Sequence, residues 1–161
     1  MDKESELRKR TCCFTGHRPG KLTMPEQKIK AALEQKIQAA IADGFQTFIS
    51  GMARGVDIWA AEVVLRLRNG GQPIRLVCAV PYNGFETCWS AAWQERYRRI
   101  LFGADQVQYI CPKYSLGCFQ IRNQWMVDRS ARIIAVYNGG RGGTRNTLKY
   151  AAAQGISIIQ I

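Results

Sequence analysis

Apolar residues along the chain fall into two alternating patterns: short unbroken runs, as in strands covered on both faces, and recurrences once per helical turn. The run at 11–15 ends abruptly at Gly16 and predicts a first strand. A helix follows. Thr23 and Glu26 stand in capping-box spacing with Pro25 between them, and Ile29, Leu33, Ile37 and Ile41 then repeat on one face until Gly44. A second strand is predicted at 45–50, broken by Gly51. The helix predicted at 54–68 turns Val56, Ala60, Val63, Val64 and Leu67 to one side and is stopped by Gly70 and Gly71. The third strand, 74–80, is almost wholly apolar and is closed by Pro81.

Trp89, Trp93, Tyr97 and Leu101 predict a third amphipathic helix, 107–111 a fourth strand, and 119–131 a further helix with Met126 and Val127 inward. A fifth strand at 132–137, a last helix at 144–154 and a terminal strand at 156–161 complete the alternation. Strands separated by helices imply right-handed crossovers and a Rossmann-like, doubly wound, mainly parallel sheet in a three-layer α/β/α arrangement. At 161 residues, one domain spanning 1–161 is expected, with the charged stretch 1–10 flexible.

The opening stretch has no apolar run of the secretory kind and no later segment is long enough to span a bilayer, so a cytoplasmic protein without membrane contact is expected. Cys12, Cys13, Cys78 and Cys111 fall in predicted strands, and Cys88 and Cys118 near predicted helix starts. None forms a CxxC pair and His17 is the sole histidine, so the ligand spacing of a zinc site is missing and reduced, structural cysteines are expected. Lys and Arg outnumber Asp and Glu by 23 to 12, a formal net charge of +11 that favours phosphates and polyanions. The basic residues concentrate at 8–10, 96–99 and 141–145, and part of them is ordinary solvated surface.

In a sheet of this kind the strand-to-helix loops emerge at one edge, and ligands bind outside the carboxyl ends of the strands. The unusual residues collect in those loops: Gly16-His17-Arg18-Pro19-Gly20 after the first strand, 50–57 with Gly51, Arg54, Gly55 and Asp57 after the second, and 138–144 with Gly142, Gly143 and Thr144 after the fifth. Glycine lets backbone N–H groups approach phosphate oxygens, and a following helix adds the positive end of its dipole. Each loop alone also reads as a tight turn; the three together favour one anion site. Neither a Walker A sequence nor GxGxxG is present.

The motifs Gly16-His17-Arg18-Pro19, 51–57, Arg122-Asn123 with Met126-Val127-Asp128, and Gly142-Gly143-Thr144 resemble the bacterial YpsA-like proteins, a domain of unknown function in the superfamily (SLOG) shared with the Lonely Guy enzymes and DNA-processing protein A. The resemblance spans nearly the whole chain. It implies a Rossmann-like fold, a small-molecule nucleotide-like ligand (a nucleotide or an ADP-ribose-like molecule) to be bound or sensed, and a homodimer, with no settled reaction and no certain cofactor. Two other functions stay open: hydrolysis of the N-glycosidic bond of a nucleoside monophosphate, as in the Lonely Guy relatives, and single-stranded nucleic-acid binding.

His17 reads as a phosphate contact or as a hydrogen bonder that fixes its turn. Arg18 suits a direct role because a guanidinium grips two phosphate oxygens at once. Asp57 reads as a helix-dipole carboxylate or a ribose-hydroxyl partner, and Arg54 as its ion-pair partner or a ligand contact. Between Arg122 and Asn123, Asn123 is preferred as the residue facing the crevice, while Asp128 is expected to fix packing. Trp89 and Tyr82 each read as core or as a base-stacking ring, with core preferred for Trp89. Aligning Gly143-Thr144 with the Gly-Thr of the hydrolase motif puts Thr147 where those enzymes carry a glutamate; Glu86 is then the weak candidate for a catalytic carboxylate.

Overall fold

A computed structural model describes residues 2–161. The chain runs α1 (Lys3–Lys9), β1 (Thr11–Gly16), a 3-10 turn (Pro19–Lys21), α2 (Glu26–Ala42), β2 (Thr47–Ser50), α3 (Val56–Asn69) and β3 (Arg75–Val80). It continues through α4 (Ala91–Gly103), β4 (Gln106–Tyr109), α5 (Cys118–Asp128), β5 (Arg132–Val136), α6 (Gly143–Ala153) and β6 (Ser157–Gln160). The strands form one six-stranded sheet in the order β4-β3-β2-β1-β5-β6, and every pairing is parallel. The expected doubly wound Rossmann-like architecture is therefore present.

The side-chain alternation of β1 shows how the layers are built. Cys12 and Phe14 point into a core with Ile29, Leu33 and Ile37 of α2, Val64 of α3 and Ile100 of α4. Cys13 points the opposite way, toward Met126 and Val127 of α5 and Ala151 of α6. Both faces of the strand are thus covered, which explains its unbroken apolar run. Because β1 lies between β2 and β5, the chain leaves β1 for one helical layer and β5 for the other. That divergence is the switch in strand order where an open parallel sheet leaves a crevice. Gly16, at the end of β1, allows α3 to approach: a Cβ there would overlap the Val56 side chain.

Two local expectations are corrected. The Thr23/Glu26 capping box does not form: Pro25 is the N-cap of α2 with no side-chain cap, and Glu26 instead accepts two bonds from the Arg96 guanidinium on α4, at 3.1 and 2.9 Å. The stretch 1–10 contains α1, capped by Asp2, whose carboxylate accepts from Ser5 N at 2.7 Å. Among the described residues, no helix is long and apolar enough to cross a membrane.

Candidate ligand-binding cleft

A cleft of about 420 Å³ opens at the carboxyl edge, lined from β1 by Thr15 and Gly16, and then by His17, Arg18, Lys21, Ala53, Arg54, Asp57, Arg122, Asn123, Gly143 and Thr144. The three glycine-containing loops converge here and are tied to one another. His17 N donates to Val136 O at 3.4 Å, Asn138 Nδ2 donates to Lys21 O at 2.9 Å, and Lys21 Nζ donates to Arg141 O at 3.5 Å. Gly55, at φ +92°, sits so close to Pro19 and the His17 carbonyl that a side chain would strike both. Gly142, at φ +135°, turns the chain into α6.

The helix starts facing the cleft differ from the capped ones. α1 is capped by Asp2 and α4 by Ser90. α2, α3, α5 and α6 have no side-chain cap. Of these, α6 begins in the cleft wall at Gly143 and Thr144, where first-turn N–H groups can meet an outside anion, whereas in α3 Ile58 N already donates to Ala53 O at 3.3 Å. Thr144 does not cap α6; it is buried at the cleft wall.

Beneath the β2–α3 loop lie two buried side chains of opposite charge. Arg122 is 5% exposed and Asp57 8%. Arg122 Nη1 donates to the Gly51 carbonyl, its Nε donates to Asn123 Oδ1 at 2.7 Å, and Asp57 Oδ2 accepts from Ala53 N at 3.3 Å. Burial pushes the Asp57 carboxyl up to about 6, against the pull of the Arg122 guanidinium and the Ala53 N–H. The same burial lowers Arg122, against the attraction of Asp57. Desolvation outweighs mutual attraction at both partners. Gly51 leaves room for the pair, since a Cβ would stand 3.0 Å from Asp57 Oδ2 and 3.1 Å from the Arg122 guanidinium carbon. Met52 beside it holds φ +64°, the sole non-glycine residue with positive φ among those described. This conformation is sustained because Ser50 Oγ accepts from Met52 N at 3.2 Å and the side chain is fully buried.

Two polar atoms of the cleft residues are buried without a hydrogen-bond partner: Asp57 Oδ1 and His17 Nε2. Such groups are costly unless something satisfies them. His17 is 4% exposed and its ring lies 5.3 Å from that of Tyr137. Burial, then the charge of Lys21, moves it below the ordinary histidine value, against the Asn138 side chain. It is therefore neutral at pH 7 and can accept or donate one hydrogen bond.

The opposite wall is aromatic, formed by Phe85, Trp89 and Phe119. Trp89 precedes α4, is half-buried, and carries the Arg54 guanidinium 5.5 Å from its ring centre. Arg54 thus lies over Trp89, and Asp57 is engaged by Ala53 and Arg122. Tyr82 joins the same cluster, edge-on to Phe85, Tyr114 and Phe119.

The structure brings Gly16, His17, Arg18, Arg54, Asp57, Asn123, Gly143 and Thr144 to one cleft, with Gly51, Gly55 and Gly142 shaping its walls from behind. Glu86 does not line it; its Oε2 is buried without a partner in the loop that carries Phe85. Thr147 is buried, and its hydroxyl donates to Gly143 O at 2.8 Å. Asp128 accepts from the Tyr150 hydroxyl at 2.6 Å, a packing role between α5 and α6. Arg122, set second to Asn123 by the sequence, lines the cleft beside it, and Lys21 and Phe119 are cleft residues that the sequence did not single out. Phe119 stands four residues before Asn123, on the same helical face, so that spacing was the available signal. Among the described residues, no group of three or more His, Cys, Asp or Glu is placed to hold a metal ion.

Fold and cleft together define a Rossmann-like α/β protein with its candidate site at the carboxyl edge of a parallel sheet. The chain belongs to the YspA SLOG family, whose model (YpsA) matches residues 12–157. It is 34% identical over 118 residues to UPF0398 protein BH1768 of Halalkalibacterium halodurans, covering 72% of this chain and 62% of that one. It is 33% identical over 126 residues to a UPF0398 protein of Bacillus thuringiensis (strain Al Hakam), covering 77% and 68%. Among solved structures, it resembles DNA processing protein A from Streptococcus pneumoniae with a TM-score of 0.68 at 20% identity, covering 96% of this chain and 50% of that one. It resembles DNA processing protein A from Helicobacter pylori, described with its single-stranded DNA binding mode, with a TM-score of 0.67 at 16% identity, covering 99% and 68%. The chain thus spans less than two thirds of the length of the Halalkalibacterium relative, and the likeness to the solved structures is one of fold.

Proposed function

We propose that this protein binds a phosphate-bearing, nucleotide-derived ligand in the carboxyl-edge cleft and acts as a binding or sensing domain. The observation that carries the reading is the convergence of the uncapped start of α6 and several cations on buried, unpartnered polar atoms at the switch in strand order. Arg18, Lys21 and Gly143 receive the phosphate, His17 hydrogen-bonds to it, and Asp57 accepts from a sugar hydroxyl. Family membership supports a nucleotide-type ligand. The test is calorimetry with nucleoside mono- and diphosphates and ADP-ribose; micromolar binding of one of them supports the reading, and no binding across the panel refutes it. A homodimer and a cytoplasmic place of action accompany this proposal, the former checked by analytical ultracentrifugation.

Catalysis is not part of it. N-glycosidic hydrolysis passes through a cation-like sugar that a carboxylate stabilises. Thr147 occupies that position in the aligned motif and its hydroxyl is committed to the helix backbone. The expected result with purified protein is no release of free base from purine or pyrimidine monophosphates above the blank. Turnover lost in Glu86→Gln would overturn this and move the catalytic carboxylate to the β3–α4 loop.

Single-stranded nucleic acid is the second reading, favoured by the net charge of +11 and by the fold shared with a DNA-binding neighbour. It predicts affinity for oligonucleotides that falls steeply with salt and exceeds that for mononucleotides.

A further inference from the structure

The proposed phosphate end occupies one part of the cleft, and a differently built wall faces it. Phe85 is the floor of that wall. Trp89 packs edge-on against it, ring centres 4.9 Å apart, and Phe119 approaches from elsewhere at 6.4 Å. Trp89 and Phe119 each pack against Phe85 and, among the described residues, not against each other, so both rings line the aromatic wall as separate parts of one cleft. Arg54 overhangs the Trp89 side and Arg122 the Phe119 side, their guanidinium carbons 5.5 and 5.8 Å from the respective ring centres. Phe119 is 37% exposed although it sits in an aromatic cluster. Asn123 borders the same cleft; its Oδ1 accepts from Arg122 at 2.7 Å, which leaves its Nδ2 as a donor aimed elsewhere.

Aromatic faces flanked by guanidinium planes are the surroundings in which unpaired bases stack, and an amide donor at the rim can meet a ring nitrogen or carbonyl on a base edge. A planar heterocycle makes fuller use of these ring and guanidinium planes than an aliphatic or sugar-phosphate ligand does. The cationic end fixes which part of a ligand goes where: phosphate toward Arg18, Lys21 and Gly143, planar heterocycle toward Phe119 and Trp89.

We infer that the aromatic wall of Trp89 and Phe119 is a nucleobase subsite, so that the ligand of the cleft is recognised by its heterocycle as well as by its phosphate. The inference rests on the phosphate-site reading above and adds the base and its position. Phe119 and Arg54 supply the stacking planes, and Asn123 reads the base edge.

The test separates the two claims. Calorimetry compares ribose 5-phosphate with AMP, GMP, CMP and UMP on the wild-type chain, on Phe119→Ala and on Phe119→Tyr. The best of the four nucleotides is expected to bind at least about ten-fold tighter than ribose 5-phosphate. Phe119→Ala should erase that advantage while ribose 5-phosphate affinity stays within two-fold, and Phe119→Tyr, which keeps a ring, should restore it. Ribose 5-phosphate binding as tightly as every nucleotide would overturn the base subsite and leave the phosphate site standing. Phe119→Ala weakening ribose 5-phosphate and nucleotide equally would also overturn it, assigning the ring to packing beneath Arg122. Failure of all five compounds to bind would overturn this inference, and the phosphate reading falls with it when nucleoside diphosphates and ADP-ribose fail to bind as well.

Discussion

Each edge of the sheet carries a cavity, and the two are built in opposite ways. At the amino edge, about 600 Å³ lies between α1, the strand starts and α5. Three of its polar side chains are already engaged: Arg8 Nε donates to Ser130 O at 3.3 Å, Asp128 accepts from Tyr150 at 2.6 Å, and Arg129 lies over Trp125 at 4.1 Å. Among the described residues, none lining it holds a buried, unpartnered polar atom. At the carboxyl edge the space is smaller, about 420 Å³, yet His17 Nε2 and Asp57 Oδ1 remain unmatched and the uncapped start of α6 lies in the wall. Volume therefore ranks the edges one way and unsatisfied polarity the other. Unsatisfied polarity in a cavity wall is the better guide, because there an outside group can supply the missing partner.

The sharpest way to break this contrast is Gly143→Val. A Cβ at Gly143 meets nothing within 4 Å, so the fold should accept valine while the branched side chain fills the phosphate approach. The expected outcome is loss of detectable nucleotide binding by calorimetry with an unchanged circular-dichroism spectrum. Undiminished affinity would reduce the glycines to a turn. A smaller effect follows from Arg18→Ala, where losing charge-assisted hydrogen bonds should weaken the same ligand by about 1 to 3 kcal/mol; a change within error returns Arg18 to the solvated surface.

Stability against pH probes the buried pair without any ligand. Asp57 is raised in the fold to about 6, above the roughly 3.9 of an unfolded aspartate. Between those values the native state holds a proton that the unfolded chain has released, so this contribution is full below about pH 4 and is lost as pH rises through about 6. Asp57→Asn should remove that fall, giving a flatter melting temperature across the window than wild type. His17, lowered from its usual value, acts in the opposite sense and is common to both proteins. Parallel profiles for the two proteins would contradict burial of Asp57.

The alternation of apolar runs and helical repeats made the sheet legible, because strands covered on both faces and one-sided helices leave different periods in the sequence. The three loops were legible too, since glycine beside His17, Asp57 and Thr144 marks close backbone approach at strand ends. What stayed hidden depends on contacts between distant parts of the chain. Arg122 reaches a carbonyl 71 residues away, and nothing local distinguishes it from Asn123 as the inward residue. Glu26 had the spacing of a capping box, but Arg96 on α4 outcompetes its own backbone for the carboxylate. α1 buries none of its residues, so periodicity could not announce it; the Asp2 cap and the charge order along the helix were its remaining signals.

The most direct test of the central claim is a titration of the nitrogen-15-labelled chain with the tightest-binding nucleotide, followed by amide resonances at both edges. The account predicts shifts concentrated at Gly16 to Arg18, Ala53, Arg54, Gly143 and Thr144, with Arg8, Thr47, Trp125 and Arg129 unmoved. Shifts concentrated on the amino-edge residues, with the glycine loops silent, would contradict it.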